Sequence, residues 1–253
     1  MALLVLGVVR QGHPSPRAKR KDDEAFDVRL VESGDLAAAV TEIDDEAPLT
    51  EEDAAQHLDT LILLLRDGPV LPLAFGTVSP DEDAVRTEVL DATAADLAER
   101  LEGVDGLVET RLEVNFDEQA ALRDIMASDP DVRGMAAQTK DDSGALDIRL
   151  ALGEAVSARL MDWRRLQADA LLPRLTGAVH SVAELESQEP LQQRWAFLVS
   201  ADRLGELDEA VGAQRSALGN GASVEYVGPL PVYTFLAQSP GNKSGSRQSA
   251  WGW

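Results

Sequence analysis

The sequence predicts an α+β fold of two domains, each ferredoxin-like or modified ferredoxin-like. Three observations predict it. The chain has 253 residues, 44% of them apolar, which is enough for two cores. Residues 108–227 spell strand, helix, strand, strand, helix, strand with one extra helix inserted, the ferredoxin-like order. The first hundred residues carry similar parts with an added hairpin. The predicted division is 1–104, 105–238 and a polar tail over 239–253. Aromatic residues make up only 4% of the chain, so the cores must be built from Leu, Val and Ala.

Residues 2–9 are a continuous apolar run with no basic flank or small-residue cleavage site, which reads as a strand rather than a signal peptide. Residues 10–25, with Gly12, Pro14, Pro16, His13 and the basic run 17–21, read as a loop. Two strands follow over 26–31 and 36–43, turned by Ser33-Gly34-Asp35. Thr50 opens a helix whose acidic first turn suits the helix dipole. Its expected apolar face is Ala54, Leu58, Leu61, Ile62 and Leu65, with His57 on the flank. Gly68-Pro69 stops it. Residues 70–76 read as a short strand in which Pro72 belongs near an edge. Ser79, Pro80 and Glu82 spell a capping box with proline at the first helical position. The helix over 80–102 is expected to bury Val85, Val89, Leu97 and Leu101.

In the second half, 108–116 alternates. Val108, Thr110, Leu112, Val114 and Phe116 face a core, while Glu109, Arg111, Glu113 and Asn115 face water. A helix over 118–127 leads to a loop rich in Asp, Pro and Gly. A long helix over 149–172 is expected to present Leu152, Val156, Leu160, Trp163, Leu166 and Ala170. Strands at 179–185 and 195–200, a helix over 202–218 and a strand at 223–227 complete the set. The tail from 239 reads as disordered. Trp251 and Trp253 stand out in it as aromatics able to anchor a partner.

Several segments together resemble a known family. They are Val70-Leu71-Pro72-Leu73-Ala74-Phe75-Gly76-Thr77-Val78 before an acidic helix, the opening Leu3-Leu4-Val5-Leu6-Gly7-Val8-Val9, Gly106-Leu107-Val108-Glu109-Thr110-Arg111-Leu112, and Gly228-Pro229-Leu230-Pro231-Val232-Tyr233-Thr234-Phe235. Taken in their order along the chain they resemble the gas vesicle protein F/L family, with Leu230 standing where that pattern has an aromatic residue. The resemblance marks Pro72, Phe75, Gly76, Glu109, Gly228, Pro229, Tyr233 and Phe235 as structural signature positions. It implies an accessory or minor structural role in vesicle assembly, and binding to the small hydrophobic shell subunit and other accessory gas vesicle proteins. From the residues themselves, Phe75 is expected in the core and Gly76 at a backbone turn.

Composition limits function further. The net charge is −22, which disfavours nucleic acid and anionic membranes because like charge repels phosphate. No run reaches the roughly 20 apolar residues that span a bilayer, so a cytoplasmic protein with no lipid-membrane partner is expected. There are no cysteines, hence no disulfide, thiolate metal site or cysteine nucleophile. His13, His57 and His180 fall in no metal-ligand spacing, and no nucleophile elbow or phosphate loop is present. Asp129, Asp131, Asp141, Asp142 and Asp147 lack calcium-loop order. The residues therefore point to no cofactor, no metal and no enzyme. A small-molecule-sensing module built of paired ferredoxin-like domains is the alternative, since fold alone does not fix function.

Overall fold

The computed structural model describes residues 2–16, 18, 19, 25–44, 48–141 and 146–237. It is a mixed helix-and-sheet chain with two main sheets: one of order β4 (Arg29–Ser33), β5 (Leu36–Ile43), β1 (Ala2–Arg10), β6 (Leu71–Pro72), with β7 (Val78–Ser79) also on β1, and one of order β11 (Ala222–Leu230), β8 (Leu107–Phe116), β10 (Gln192–Ser200), β9 (Val179–Leu185). Internal contacts divide the chain into two compact units. One holds residues up to Glu109 joined by the chain from Gly228, and the other is Thr110–Val227. A division along the sequence keeps 228–238 with the second domain, but the contacts group that segment with the first.

In the first unit, β1 (Ala2–Arg10) is buried at every residue except Arg10. That explains its unbroken apolar run, because a strand with both faces covered has no reason to alternate. The expected loop over 10–25 contains a two-residue ladder, β2 (Ala18–Lys19) with β3 (Ala25–Phe26). Strands β4 (Arg29–Ser33) and β5 (Leu36–Ile43) form the expected hairpin, with Ser33 opposite Leu36 and Gly34 at φ +55°. Strand β5 then pairs antiparallel with β1, Ala2 opposite Ile43 and Arg10 opposite Leu36.

Helix α1 (Glu51–Leu65) starts on a capping box between Thr50 and Asp53. Its buried face is His57, Thr60, Leu61 and Leu64, so the face is rotated and His57 lies in its middle rather than on its flank. The expected strand over 70–76 shrinks to β6 (Leu71–Pro72), where Pro72 sits on the outer edge of the sheet opposite Gly7. Strand β7 (Val78–Ser79) follows. The expected capping box at Ser79 does not form, because Ser79 is held in β7. Asp81 caps instead, its carboxylate accepting from Ala84 N at 2.8 Å.

The expected helix over 80–102 is broken into α2 (Glu82–Ala84), a π turn over Val85–Leu90, a 3₁₀ turn and α3 (Ala94–Gly103). Bonding from i to i+5 brings residues five apart onto one side. Val85 and Leu90 are accordingly both fully buried, and Leu90 takes the place expected for Val89.

Strand β8 (Leu107–Phe116) runs from the first unit into the second. Helix α4 (Glu118–Ser128) is capped by Asp117. The expected acidic loop is a helix, α5 (Pro130–Asp141). Asp129 caps it, its carboxylate accepting from Asp131 N and Val132 N, and Pro130 stands at the first helical position, where its missing N–H costs nothing.

Helix α6 (Leu146–Leu171) buries Ala168 and Leu171. Leu166, expected on the core stripe, is 67% exposed, and Ala170 is exposed as well. Trp163 stacks edge-on against Phe116 at 5.5 Å. Strand β9 (Val179–Leu185) pairs antiparallel with β10 (Gln192–Ser200). Helix α7 (Leu204–Leu218) buries Leu207 and Val211. Strand β11 (Ala222–Leu230) leads into the closing segment, which ends with α8 (Thr234–Ala237).

Candidate functional site

All eight positions singled out by the resemblance fall in the first unit, and three of them, Pro72, Phe75 and Gly76, lie in or beside one turn. Leu73 N donates to Leu6 O at 3.0 Å and Val5 N to Thr77 O at 2.8 Å, so both ends of the segment are tied to β1. Between them Thr77 N and Thr77 Oγ1 both donate to Ala74 O, at 3.1 and 2.7 Å. Gly76 has φ +86°. A four-residue turn with positive φ at its third residue has the type II form, which favours glycine there. The backbone role expected of Gly76 is thus visible, although the turn leads into β7 and not directly into a helix.

Phe75 occupies the second position of this turn. It is half-buried, not in the core as expected. Its ring meets His57 edge-on at 5.6 Å, and it packs on the cluster of Leu4, Leu6, Val9, Leu61 and Leu64. Tyr233, from the closing segment, packs on the same cluster. The two signature stretches therefore converge on one core, and Phe235 is half-buried nearby in sequence. Gly228 and Pro229, joined by a cis peptide, are exposed, whereas Leu230 and Val232 are buried.

Glu109 corrects the sequence reading most sharply. It was expected to face water and is fully buried. Its carboxylate accepts Tyr233 N at 3.0 Å, Thr234 N at 2.7 Å and Thr234 Oγ1 at 2.8 Å. Buried charge is tolerated when it is hydrogen-bonded in this way. The strand alternation places it among the solvent-facing residues, and only the family resemblance singles it out as structural.

His57 is 3% exposed, and neither ring nitrogen has a full hydrogen-bond partner. Burial lowers its pKa to about 4, opposed in part by the Leu73 backbone, so the ring is neutral near pH 7. His13, expected in an open loop, is buried, with Nδ1 2.9 Å from Pro14 O and Nε2 3.0 Å from Leu64 O. His180 is exposed and bonds Ser200 Oγ at 2.6 Å. The three histidines have separate environments, and among the described residues no group of three or more His, Asp or Glu could hold a metal.

Asp129 serves helix α5 and Arg159, whose Nε lies 2.6 Å away and holds the Asp129 pKa below its usual value. Asp142, Trp251, Trp253 and the basic residues Arg17, Arg20 and Lys21 lie outside the described residues. The second unit carries an open cleft of about 500 Å³ lined by Arg164, Glu184, Leu185, Glu186 and Ser187. Among the described residues no helix is long and apolar enough to cross a membrane.

The family model for "Gas vesicle synthesis protein GvpL/GvpF" matches residues 2–237. The chain belongs to the GvpL/GvpF family. Gas vesicle protein F of Streptomyces sp. (strain CB03234) is 32% identical over 243 residues, covering 93% of this chain and 100% of that protein. Gas vesicle protein L2 of Halobacterium salinarum is 31% identical over 182 residues, covering 66% of this chain and 64% of that protein. Two solved folds also match at 18% identity. Crystal structures of GvpF from Microcystis aeruginosa and from Anabaena sp. PCC7120 superpose with TM-scores of 0.75 and 0.79, each over 92% of this chain and covering 98% and 97% of those chains. The GvpL/GvpF membership supports a gas-vesicle-related role.

Proposed function

We propose that this GvpL/GvpF chain is a non-enzymatic accessory or minor structural protein of gas vesicle assembly, working in the cytoplasm in association with the vesicle. It binds the hydrophobic shell subunit and other accessory gas vesicle proteins. The family match over residues 2–237 carries this reading. The surface supports it. In a chain of net charge −22, the apolar side chains Val78, Met126, Leu146, Leu150, Met161, Leu166 and Val227 are between 37% and 67% exposed. Exposed apolar groups on an acidic body can shield an apolar partner while like charge keeps the complexes apart.

The signature positions Pro72, Phe75, Gly76, Glu109, Gly228, Pro229, Tyr233 and Phe235 are read as structural, holding the first unit and its closing segment. The second unit is read as ferredoxin-like, because its sheet places its last strand, β11, beside its first, β8, with β10 next and β9 outermost. The sensing alternative draws on the cleft at Arg164, whose lining of one arginine and two glutamates gives little apolar surface for a ligand.

A pull-down with the shell subunit over a salt series tests the proposal. Binding that persists at moderate salt is expected, because apolar contacts are not screened. No binding at any salt by the folded chain would reject the assembly role.

A further inference from the structure

We propose that helix α6 is where two copies of this chain meet, lying antiparallel across a two-fold axis near Gly153 and Ser157. This goes beyond the assembly role and does not depend on it. Leu146, Leu150 and Met161 are 65%, 58% and 50% exposed. With Gly153 and Ser157, also exposed, they recur at intervals of three and four residues and share one side of the helix. The half-buried Leu152, Val156 and Trp163 take the other side, where Trp163 Nε1 donates to Asp124 of α4 at 3.2 Å.

Charge selects the occupant. The chain carries −22 overall, yet α6 holds four acids and four bases, so a second copy meets little repulsion there. Asp147 and Arg165 are both exposed and stand eighteen residues apart, five turns at about 3.6 residues each, on one flank of the stripe. Among the described residues neither side chain has an ion-pair or hydrogen-bond partner. Set antiparallel, Leu150 lies level with the copy's Met161, Asp147 with its Arg164 and Arg165, and Ser157 with its Glu154, to which the hydroxyl can donate. One register therefore joins the apolar groups and the opposite charges together, and the two-fold axis repeats each pair. Gly153 and Ser157 fall at the crossing, where small side chains let two helices approach closely.

The cleft of about 500 Å³ beside Arg164 gives the end of the copy's helix a place. Arg164 donates from Nη1 to Gln192 O at 3.2 Å, and its buried Nε has no acceptor. The copy's Asp147 thus brings a carboxylate to two under-paired guanidinium groups. Glu186 and Glu184, one oxygen of which accepts Gln193 Nε2 at 2.8 Å, also line the cleft. They meet the positive end of the incoming helix dipole. The stripe from 146 to 165 is about 28 Å long at a rise of about 1.5 Å per residue. A single helix pair is at the low end of interface size, so the dimer is weak and reversible.

Sedimentation equilibrium of the full chain alone, over a concentration series reaching the millimolar range, tests this. Wild type is expected to pass reversibly from monomer to dimer. Leu150→Asp and Met161→Asp are each expected to weaken the dimer at least tenfold with thermal unfolding of the monomer unchanged. Asp147→Arg and Arg165→Asp are each expected to do the same. The double variant carrying both exchanges regains most of the lost affinity, which a folding defect would not allow. Glu209→Arg, exposed on α7, changes net charge as much as Asp147→Arg and is expected to leave the dimer as in wild type. A wild type that stays monomeric throughout overturns the inference and leaves this face to a different partner, while the assembly role is judged separately by its own pull-down. A dimer that survives both apolar variants overturns the placing of the contact on α6. No recovery in the double variant overturns the antiparallel register, and a loss with Glu209→Arg equal to that with Asp147→Arg overturns the charge pairing.

Discussion

The Glu109 carboxylate accepts the backbone N–H of Thr234 at 2.7 Å, although 125 positions separate the two residues. The same carboxylate takes Tyr233 N and Thr234 Oγ1. One fully buried acid thus fixes the closing segment to the first unit and satisfies donors at the start of α8, which would otherwise be orphaned.

Glu109→Ala should therefore be severe. It removes the acceptor of three partly buried donors and leaves them unsatisfied, so a loss of about 3 kcal/mol or more is expected. Glu109→Gln should cost less, because its amide oxygen can still accept while its NH₂ meets other donors. Denaturant unfolding of the three proteins checks this ranking. A cost under about 1 kcal/mol for Glu109→Ala would show that the segment is held by other contacts.

His57 gives a pH dependence with a definite sign. Its folded pKa of about 4 lies below the 6.5 of an unfolded histidine. Between those values the unfolded chain binds a proton that the folded chain refuses. The stability it supports is complete above pH 6.5 and falls as pH drops towards 4, by about 2 kcal/mol at pH 5 and about 3 kcal/mol at pH 4. His57→Leu should lose less stability than wild type between pH 7 and pH 5. Parallel losses in the two proteins over that range would contradict the assignment.

Two glycines should behave differently for different reasons. At Gly76 a Cβ has room, with Leu49 3.8 Å away, but φ is +86°. Gly76→Ala should cost about 1 kcal/mol from backbone strain alone. At Gly7 a Cβ would lie 2.8 Å from both Leu61 Cδ2 and Leu71 O. Gly7→Ala should cost about 2–3 kcal/mol because α1 and β6 must move away from β1. Thermal unfolding of both variants checks the order, and a milder Gly7→Ala would mean that the contact relaxes easily.

Phe75→Ala should cost about 2 kcal/mol, below the range of a full core aromatic, because the ring is only half-buried. Chemical denaturation measures it. A loss of about 4 kcal/mol or more would place the ring in the core after all.

The sequence by itself determined the α+β class, most element positions and the family. Continuous apolar β1, the Gly34-Asp35 hairpin turn and the Thr50 cap are local patterns, readable because propensity and spacing act over a few residues. The sequence also carried an unused hint in Gly7, since a glycine inside a strand marks a close backbone approach. Helix α5 was hidden because acidic residues and Gly134 resemble a loop, although Asp129-Pro130 is a helix start.

Only the tertiary structure decided which faces are buried. Glu109 sits at a solvent-phase position of its strand and becomes buried because a segment more than a hundred residues later closes over it. His57 is neutral because Phe75 and the β1 core exclude water from it. Val85 and Leu90 share one side because a π turn forms between them. Burial depends on what arrives from elsewhere in the chain, and spacing within one element cannot encode that.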